Sequence, residues 1–258
     1  MNEVLVIELE GVKKTFRDFW LRATVEAVSS LSLSVRRSEV FGLLGPNGSG
    51  KSTTIKMILG LLQPTAGRIL LFSRSPRSLE ARSKLGYLPE LSYLHPFLTA
   101  EETIGYYAGL SGLNKAETRR RTKEILEMVG LADVAKRTVG SFSKGMARRV
   151  ALASSLIGKP ELLILDEPTS GLDPVSTKEV KTLIKALAAG GMTILMTSHL
   201  LADAEDVCDR VAIVNHGKVV AEGDIESLDS SLEDFFLAKV GDEKKFALAG
   251  FLTEGQRS

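Results

Sequence analysis

The chain has 258 residues, 44% of them hydrophobic, enough to bury a large core and in keeping with one α/β domain carrying appendages. Its 33 basic and 32 acidic residues leave a net charge of +1 spread along the chain, which speaks against a nucleic-acid partner. One cysteine, Cys208, excludes an internal disulfide and a cysteine metal cluster and points to a reducing compartment; no uncharged apolar run nears the ~20 residues that span a bilayer, and the charged start MNEVLVIELE is unlike a signal peptide, so any membrane component is expected in another chain.

Residues 3 to 42 read as strands separated by turns: VLVIEL, then AVSSLSLSV with its apolar and polar alternation, then the short apolar run through Val40, Phe41, Leu43 and Leu44. GPNGSGKS follows at 45 to 52, and Ser52 to Leu62 read as a helix. Gly67 to Phe72 is a further strand candidate. From Thr99 the chain turns helical, with Thr99 and Glu102 spaced as a capping box and Asn114 and Glu117 spaced likewise before a charged helix ending near Gly130. The stretch from about 95 to 158 therefore reads as an inserted helical module, within which Arg119, Arg120 and Arg121 suggest a solvated face, with contact to lipid or to a membrane protein as the lesser option. From 162 onward strands and helices alternate: LLIL, a helix after Pro174, TILMT, a short helix, and the hairpin VAIVNHGKVV turning at Asn215, His216 and Gly217. His95 and His216 read as surface or turn residues, neither with a partner at metal-ligand spacing.

The GxxxxGKS run between a strand and a helix is a phosphate cradle. Gly45, Gly48 and Gly50 allow the backbone amides to converge on an anion, and the helix start adds its positive dipole end. Lys51 would place a cation between the β and γ phosphates, and the Ser52 hydroxyl would ligate Mg²⁺. Asp166 and Glu167 end the apolar run LLIL, and Thr197, Ser198 and His199 end the next strand, so separated segments can meet at the carboxyl ends of a parallel sheet. Without the loop the acidic pair would read as a capping pair on a turn. Beside the loop, Asp166 is placed to hold Mg²⁺ directly or through water, and Glu167 to polarise the attacking water.

The order of further motifs identifies a family. FSKGM at 142 to 146 and LLILDEPTSGLD at 162 to 173 resemble the signature sequence and the Walker B and D-loop run of ATP-binding cassette (ABC) proteins, and with the phosphate loop and His199 the resemblance covers residues about 4 to 225. It implies a P-loop NTPase of ABC type: a mainly parallel α/β sheet core, an N-terminal antiparallel β subdomain and an inserted α-helical subdomain. The ATP-binding domain would occupy 1 to 225 and a C-terminal helical tail 226 to 258. The resemblance also implies ATP and Mg²⁺ as ligands, with Gly45, Pro46, Asn47, Gly48, Ser49, Gly50, Lys51, Ser52 and Thr53 around the nucleotide. Phe16 matches the aromatic that stacks on adenine, with Phe19 and Trp20 near enough to compete for that role. Ser143, Lys144 and Gly145 match the signature that caps the nucleotide of the opposite subunit, Ser143 serving also as a helix N-cap. Asp173 resembles the D-loop residue that communicates across the dimer, and His199 the switch that contacts the γ phosphate. Two departures stand out. Glu90 in GYLPE replaces the usual Gln, where a carboxylate would bind Mg²⁺ yet repel the γ phosphate, or simply be a surface Glu. In the signature, Phe142, Lys144 and Met146 replace Leu, Gly and Gln.

A resemblance of this kind implies a sandwich of two cassettes, expected as a homodimer, closing on two ATP and driving a separate transmembrane permease from the cytoplasmic face of the membrane. GMARR at 145 to 149 and the tail SLEDFFLAKVG resemble exporter cassettes. The alternative is a soluble ABC ATPase not coupled to transport, which would usually show a long coiled coil or tandem cassettes, and neither is present. A switch GTPase lacks its NKxD guanine motif here, and neither a GTPase nor a small-molecule kinase explains FSKGM followed by SGLD.

Overall fold

The computed structural model describes residues 4–17, 24–228 and 231–240. Within them nine strands form one sheet of order β4-β1-β2-β9-β8-β3-β7-β6-β5. The strands are β1 (Leu5–Arg17), β2 (Thr24–Arg36), β3 (Val40–Leu44), β4 (Ala66–Leu71), β5 (Leu85–Leu88), β6 (Leu162–Leu165), β7 (Thr193–Ser198), β8 (Arg210–Asn215) and β9 (Lys218–Asp224). β8, β3, β7, β6 and β5 run parallel, in register from Phe41 opposite Arg210 to Leu88 opposite Leu165. β1, β2 and β4 pair antiparallel, and this layer joins the rest where Ser30 meets Lys218. The expected architecture of a parallel core with an antiparallel N-terminal layer is therefore present.

Alternation along the strands divides the core between the two faces of the sheet. Leu163 and Leu165 of β6 point to the side covered by α5 (Lys144–Leu156), α6 (Pro174–Ala189) and α7 (Leu201–Val207). Leu162 and Ile164 point to the other side, covered by α1 (Lys51–Ile58) and the antiparallel strands. Strands buried on both faces cannot show a polar alternation, which explains their continuous apolar runs.

Several elements depart from the sequence expectation. α1 stops at Ile58 rather than Leu62: Gly60 takes φ +69°, and the amides of Leu61 and Leu62 turn back onto the Lys56 carbonyl at 3.0 and 3.1 Å. β1 extends through KKTF to Arg17, because the irregular pairing around Gly11 lets the strand bend and continue. β5 and the short α2 (Leu79–Arg82), too brief for a clear period, had no sequence signal.

The helical stretch holds α3 (Ala100–Leu110), α4 (Lys115–Met128) and α5, packed through Ile104, Ile125, Leu126 and Leu152. The Thr99 capping box is complete: Thr99 Oγ1 accepts from the Glu102 amide at 3.1 Å, and the Glu102 carboxylate accepts from the Thr99 amide at 2.9 Å. Only half of the second box forms. Asn114 Oδ1 accepts from the Glu117 amide at 3.0 Å, but the Glu117 carboxylate turns to Arg121 instead. That arginine also donates to the Ile157 carbonyl at 3.1 Å, tying α4 to the end of α5, while Arg120 pairs with Glu124 at 2.8 Å. The arginine run is thus only partly a solvated face. The hairpin between β8 and β9 turns through His216 and Gly217, both at positive φ, as a two-residue turn requires. Gly217 N–H then donates to the Ser49 carbonyl at 2.9 Å, bracing the loop after β3.

Within the expected C-terminal tail, α8 (Leu232–Val240) is anchored by buried Leu232, whose amide donates to Glu205 Oε1 at 3.1 Å; residues 241–258 lie outside the described residues. No helix among the described residues is long and apolar enough to cross a membrane.

Candidate functional site

The loop between β3 and α1 is held by contacts that leave no room for side chains at two glycines. A Cβ at Gly45 would fall on the Val214 carbonyl and within 2.7 Å of Ser49 Oγ; one at Gly50 would lie 2.6 Å from the Ala27 carbonyl. Both have positive φ. Gly48 is different: a Cβ there meets nothing within 4 Å, since the residue borders a pocket of about 600 Å³. α1 has no side-chain cap and no acidic residue in its first turn, so its leading amides face that pocket unopposed. Ser49 Oγ is buried with no hydrogen-bond partner, an orphan donor that a phosphate oxygen would satisfy.

Lys51, only 6% exposed, donates to the carbonyls of Gly45 at 2.7 Å and Pro46 at 3.2 Å, and its Nζ lies 3.9 Å from Glu167 Oε1. Burial pulls its pKa down, opposed by the negative charges of Glu167, Asp166 and Glu90. A buried ammonium that leans on carbonyls is a site short of anionic partners, as a triphosphate cradle should be.

The two acids end β6 and are tied to β7. Thr197 Oγ1 donates to Asp166 Oδ1 at 2.7 Å and accepts from the Glu167 amide at 3.0 Å. Glu167 takes φ +49°, unusual for a non-glycine residue, which directs its carboxylate into the pocket. There Glu167 Oε2 meets His199 Nδ1 at 2.8 Å and accepts from the His199 amide at 3.3 Å. The arrangement can hold a water by one carboxylate while a lysine, a histidine and helix amides face the group being attacked.

The pocket brings together Phe16, Asn47, Gly48, Ser49, Gly50, Lys51, Ser52, Thr53, Glu90, Glu167 and His199, from five separate segments. Phe16 is 41% exposed and sits under Lys14 Nζ at 5.2 Å from the ring centroid. Phe19 and Trp20 lie outside the described residues. Gly45, Pro46 and Asp166 stand behind the lining: the first two receive Lys51, and Asp166 is buried against Thr197. Ser143, Lys144 and Asp173 do not border this pocket. Ser143 and Lys144 are exposed at the start of α5, where Ser143 Oγ accepts from the Met146 amide at 3.2 Å. Asp173 caps α6, accepting from the amides of Val175 and Ser176 and from Ser176 Oγ at 2.7 Å; the bonds from Ser176 hold its carboxyl below the usual range. Gly145 is buried against Ser176.

Sequence reading gave two residues no role of their own. Thr197, read only as one of the polar residues ending its strand, links the two acids to β7; a threonine there has no distinctive pattern. Arg148 is buried on α5, where its guanidinium donates to the carbonyls of Asp166 and Glu167 at 2.9 Å, Pro168 at 2.9 Å and Pro89 at 2.6 Å. Its signal was available: Arg148 falls three residues after Gly145 and four before Leu152, on the buried face of the helix.

A strand-tip loop bent by glycines, a buried lysine, and strand-end carboxylates reaching the same pocket define a P-loop nucleoside triphosphatase. Residues 28–170, more than half of the chain, match the ABC transporter family. Over 250 residues the chain is 38% identical to an uncharacterized ABC transporter ATP-binding protein of Synechocystis sp., with 96% of this chain and 70% of that protein covered. It is 39% identical over 229 residues to the linearmycin resistance ATP-binding protein LnrL of Bacillus subtilis, covering 88% of this chain and 72% of the relative. The dimeric ATP-binding cassette MJ0796, solved in a post-hydrolysis state with ADP and Pi, superposes with a TM-score of 0.77 at 27% identity, over 86% of this chain and 100% of that one. The chain belongs to the ABC transporter ATP-binding proteins; it binds ATP and is an ATPase.

Proposed function

We propose that two copies of this chain form an ATP-closed sandwich that drives a substrate outward through a separate membrane permease, the chain lying on the cytoplasmic face and held there by that permease. The observation that carries the dimer is Ser143: it is exposed at the N-terminus of a thirteen-residue helix, away from the pocket of its own chain. Its hydroxyl and the leading amides of α5 form an anion site that only another molecule's nucleotide can use. Lys144 adds a cation there and Asp173 reaches across at the start of α6, while Gly145 lets the two helices approach.

In each site Phe16 stacks on the adenine and the loop from Gly45 to Thr53 wraps the phosphates. Lys51 leaves its two carbonyl partners to meet the β and γ oxygens. Glu167 takes a proton from the attacking water, and His199 orients that carboxylate and contacts the γ phosphate. Ser52 and Asp166 would hold Mg²⁺, with Glu90 near it. A hydroxyl and a buried carboxylate are the hard oxygen donors that Mg²⁺ takes, which would leave its other positions to phosphate oxygens and water. When bound, the ion neutralises charge developing on the phosphates.

The permease would dock in a groove of about 490 Å³ beside Glu90, between Tyr87 and Tyr93 on one side and Tyr107 and Leu110 of α3 on the other. Tyr93 and Leu110 of its lining are exposed, an apolar surface suited to a partner. Outward transport draws on the resemblance of GMARR to exporter cassettes and on the resistance protein among the relatives. The ATP-binding unit would span 1–225, its helical subdomain about 95–158, with 226–258 as a tail.

Light scattering on the Glu167→Gln chain with ATP and Mg²⁺ tests the dimer. Doubling of mass with ATP, absent with ADP and absent in Lys51→Ala, is expected; a monomer under all conditions would refute the sandwich. Recovery of the tagged chain in membranes with a polytopic partner is expected for transport, whereas full recovery in the soluble fraction would favour the uncoupled ATPase.

A further inference from the structure

Arg148 is 7% exposed, and its guanidinium spends its donors on two loops at once. Nε donates to the Pro168 carbonyl at 2.9 Å, and Nη2 to those of Asp166 and Glu167 at 2.9 Å. Nη1 donates to the carbonyls of Pro89 at 2.6 Å and Glu90 at 3.0 Å, and to Ser92 Oγ at 3.3 Å. No carboxylate oxygen is among these acceptors, so the residue is a fork for backbone carbonyls rather than half of an ion pair. Burying a guanidinium for that purpose is costly, and an apolar side chain would fill the same face of α5 more cheaply.

What the fork holds is specific. Three consecutive carbonyls, 166 to 168, surround the one non-glycine residue of that loop with a left-handed backbone, Glu167. The Glu167 carbonyl is gripped by Arg148 and its amide by Thr197, so its conformation is fixed from both ends. The same guanidinium grips the peptide of Glu90, the other carboxylate bordering the nucleotide pocket. Arg148 also shares a rigid helix with Ser143, five residues and about 7.5 Å along the axis. Burial lowers its pKa to about 10, opposed chiefly by the charge of Asp166, so the fork stays protonated at neutral pH.

We propose that Arg148 is a positioning residue for ATP hydrolysis: it aims Glu167 and Glu90 by their backbones and ties both to the helix whose first residues meet the partner's nucleotide. Engagement of Ser143 by one ATP is thereby felt at the carboxylates facing the other. This rests on Glu167 as the general base and on the two-copy sandwich.

The test uses the full chain with Arg148→Ala and Arg148→Lys, following steady-state hydrolysis against ATP concentration, equilibrium binding of a fluorescent ATP analogue, and thermal unfolding. Expected is a fall in kcat of about 10²-fold with analogue affinity within about 3-fold of wild type, and a Hill coefficient above 1 in wild type dropping to 1. Lysine keeps the charge but cannot span both loops, so it should retain the fold and recover little of the rate. If Arg148→Ala does not fold, Arg148→Lys is read in its place. A kcat within about 3-fold of wild type, a kcat loss matched by equally weakened binding, or failure of both variants to fold would overturn the proposal. Glu167→Gln run alongside separates the two failures: an inactive Glu167→Gln beside active Arg148 variants sinks this inference alone, whereas an active Glu167→Gln removes the general base on which it rests.

Discussion

His199 reaches Glu167 twice, through its ring nitrogen Nδ1 at 2.8 Å and its backbone amide at 3.3 Å, both to the same carboxylate oxygen. The other oxygen, Oε1, lies 3.9 Å from Lys51 Nζ. One carboxylate thus lies between the lysine and the histidine that line the nucleotide pocket.

Removing the ring should leave Glu167 held by the amide alone. His199→Ala is expected to lower kcat by about 10²-fold or more while ATP affinity changes little, a split read by comparing turnover with equilibrium binding. Equal losses in the two would assign His199 to binding only.

Gly145 and Ser176 mark where α5 and α6 touch. A Cβ on Gly145 would overlap Ser176 Oγ and lie 2.5 Å from its Cβ, and Ser176 Oγ is already committed to Asp173 at 2.7 Å. Gly145→Ala should destabilise the chain by about 1–3 kcal/mol, seen as a lower Tm. Adding Ser176→Gly should give back part of the loss, making the double variant more stable than the sum of the singles. Strict additivity would show that the contact is not the cause.

Glu90 borders the pocket and its charge acts on Lys51. Glu90→Gln should tighten ATP binding by about 3-fold through lost repulsion and raise the Mg²⁺ concentration needed for half-maximal turnover. Titrations of ATP and Mg²⁺ that both match wild type would make it an ordinary surface residue.

The Thr99 capping box predicts a pH dependence. Hydrogen bonds from the Thr99 amide, then from its hydroxyl, hold the Glu102 carboxyl below its ordinary value. Its ionised form therefore favours the folded state: the contribution is complete above the unfolded-chain pKa of about 4.3 and disappears as pH falls through the lower folded value. Glu102→Gln, which imitates the neutral acid, should lower Tm slightly at pH 7, with the gap narrowing as pH falls below about 4.3 and closing only below the depressed folded value. A Tm gap that persists in acid would place the effect in packing rather than charge.

Local chemistry was legible wherever neighbours in sequence supply it. GPNGSGKS announces its own turn, Thr99 and Glu102 announce a helix start, and the apolar runs before Asp166 and His199 announce buried parallel strands, because each signal depends on residues within one turn or one strand. Helix length at Leu62, the Glu117 side chain and the fate of Arg121 were not legible, since each is decided by a competitor lying elsewhere: the left-handed turn at Gly60, and the Ile157 carbonyl brought close by α5.

The sequence by itself determined the phosphate loop, the acidic strand ends, the alternation of strands and helices, and through the order of motifs the ABC family. Only the tertiary structure decided that Thr197 couples Asp166 to Glu167, that Gly145 is demanded by Ser176, and that Arg148 gathers the carbonyls of two loops 18 to 59 residues away in sequence. Backbone carbonyls are the same at every position, so no pattern of side chains can say which of them a buried guanidinium will meet until the chain has folded.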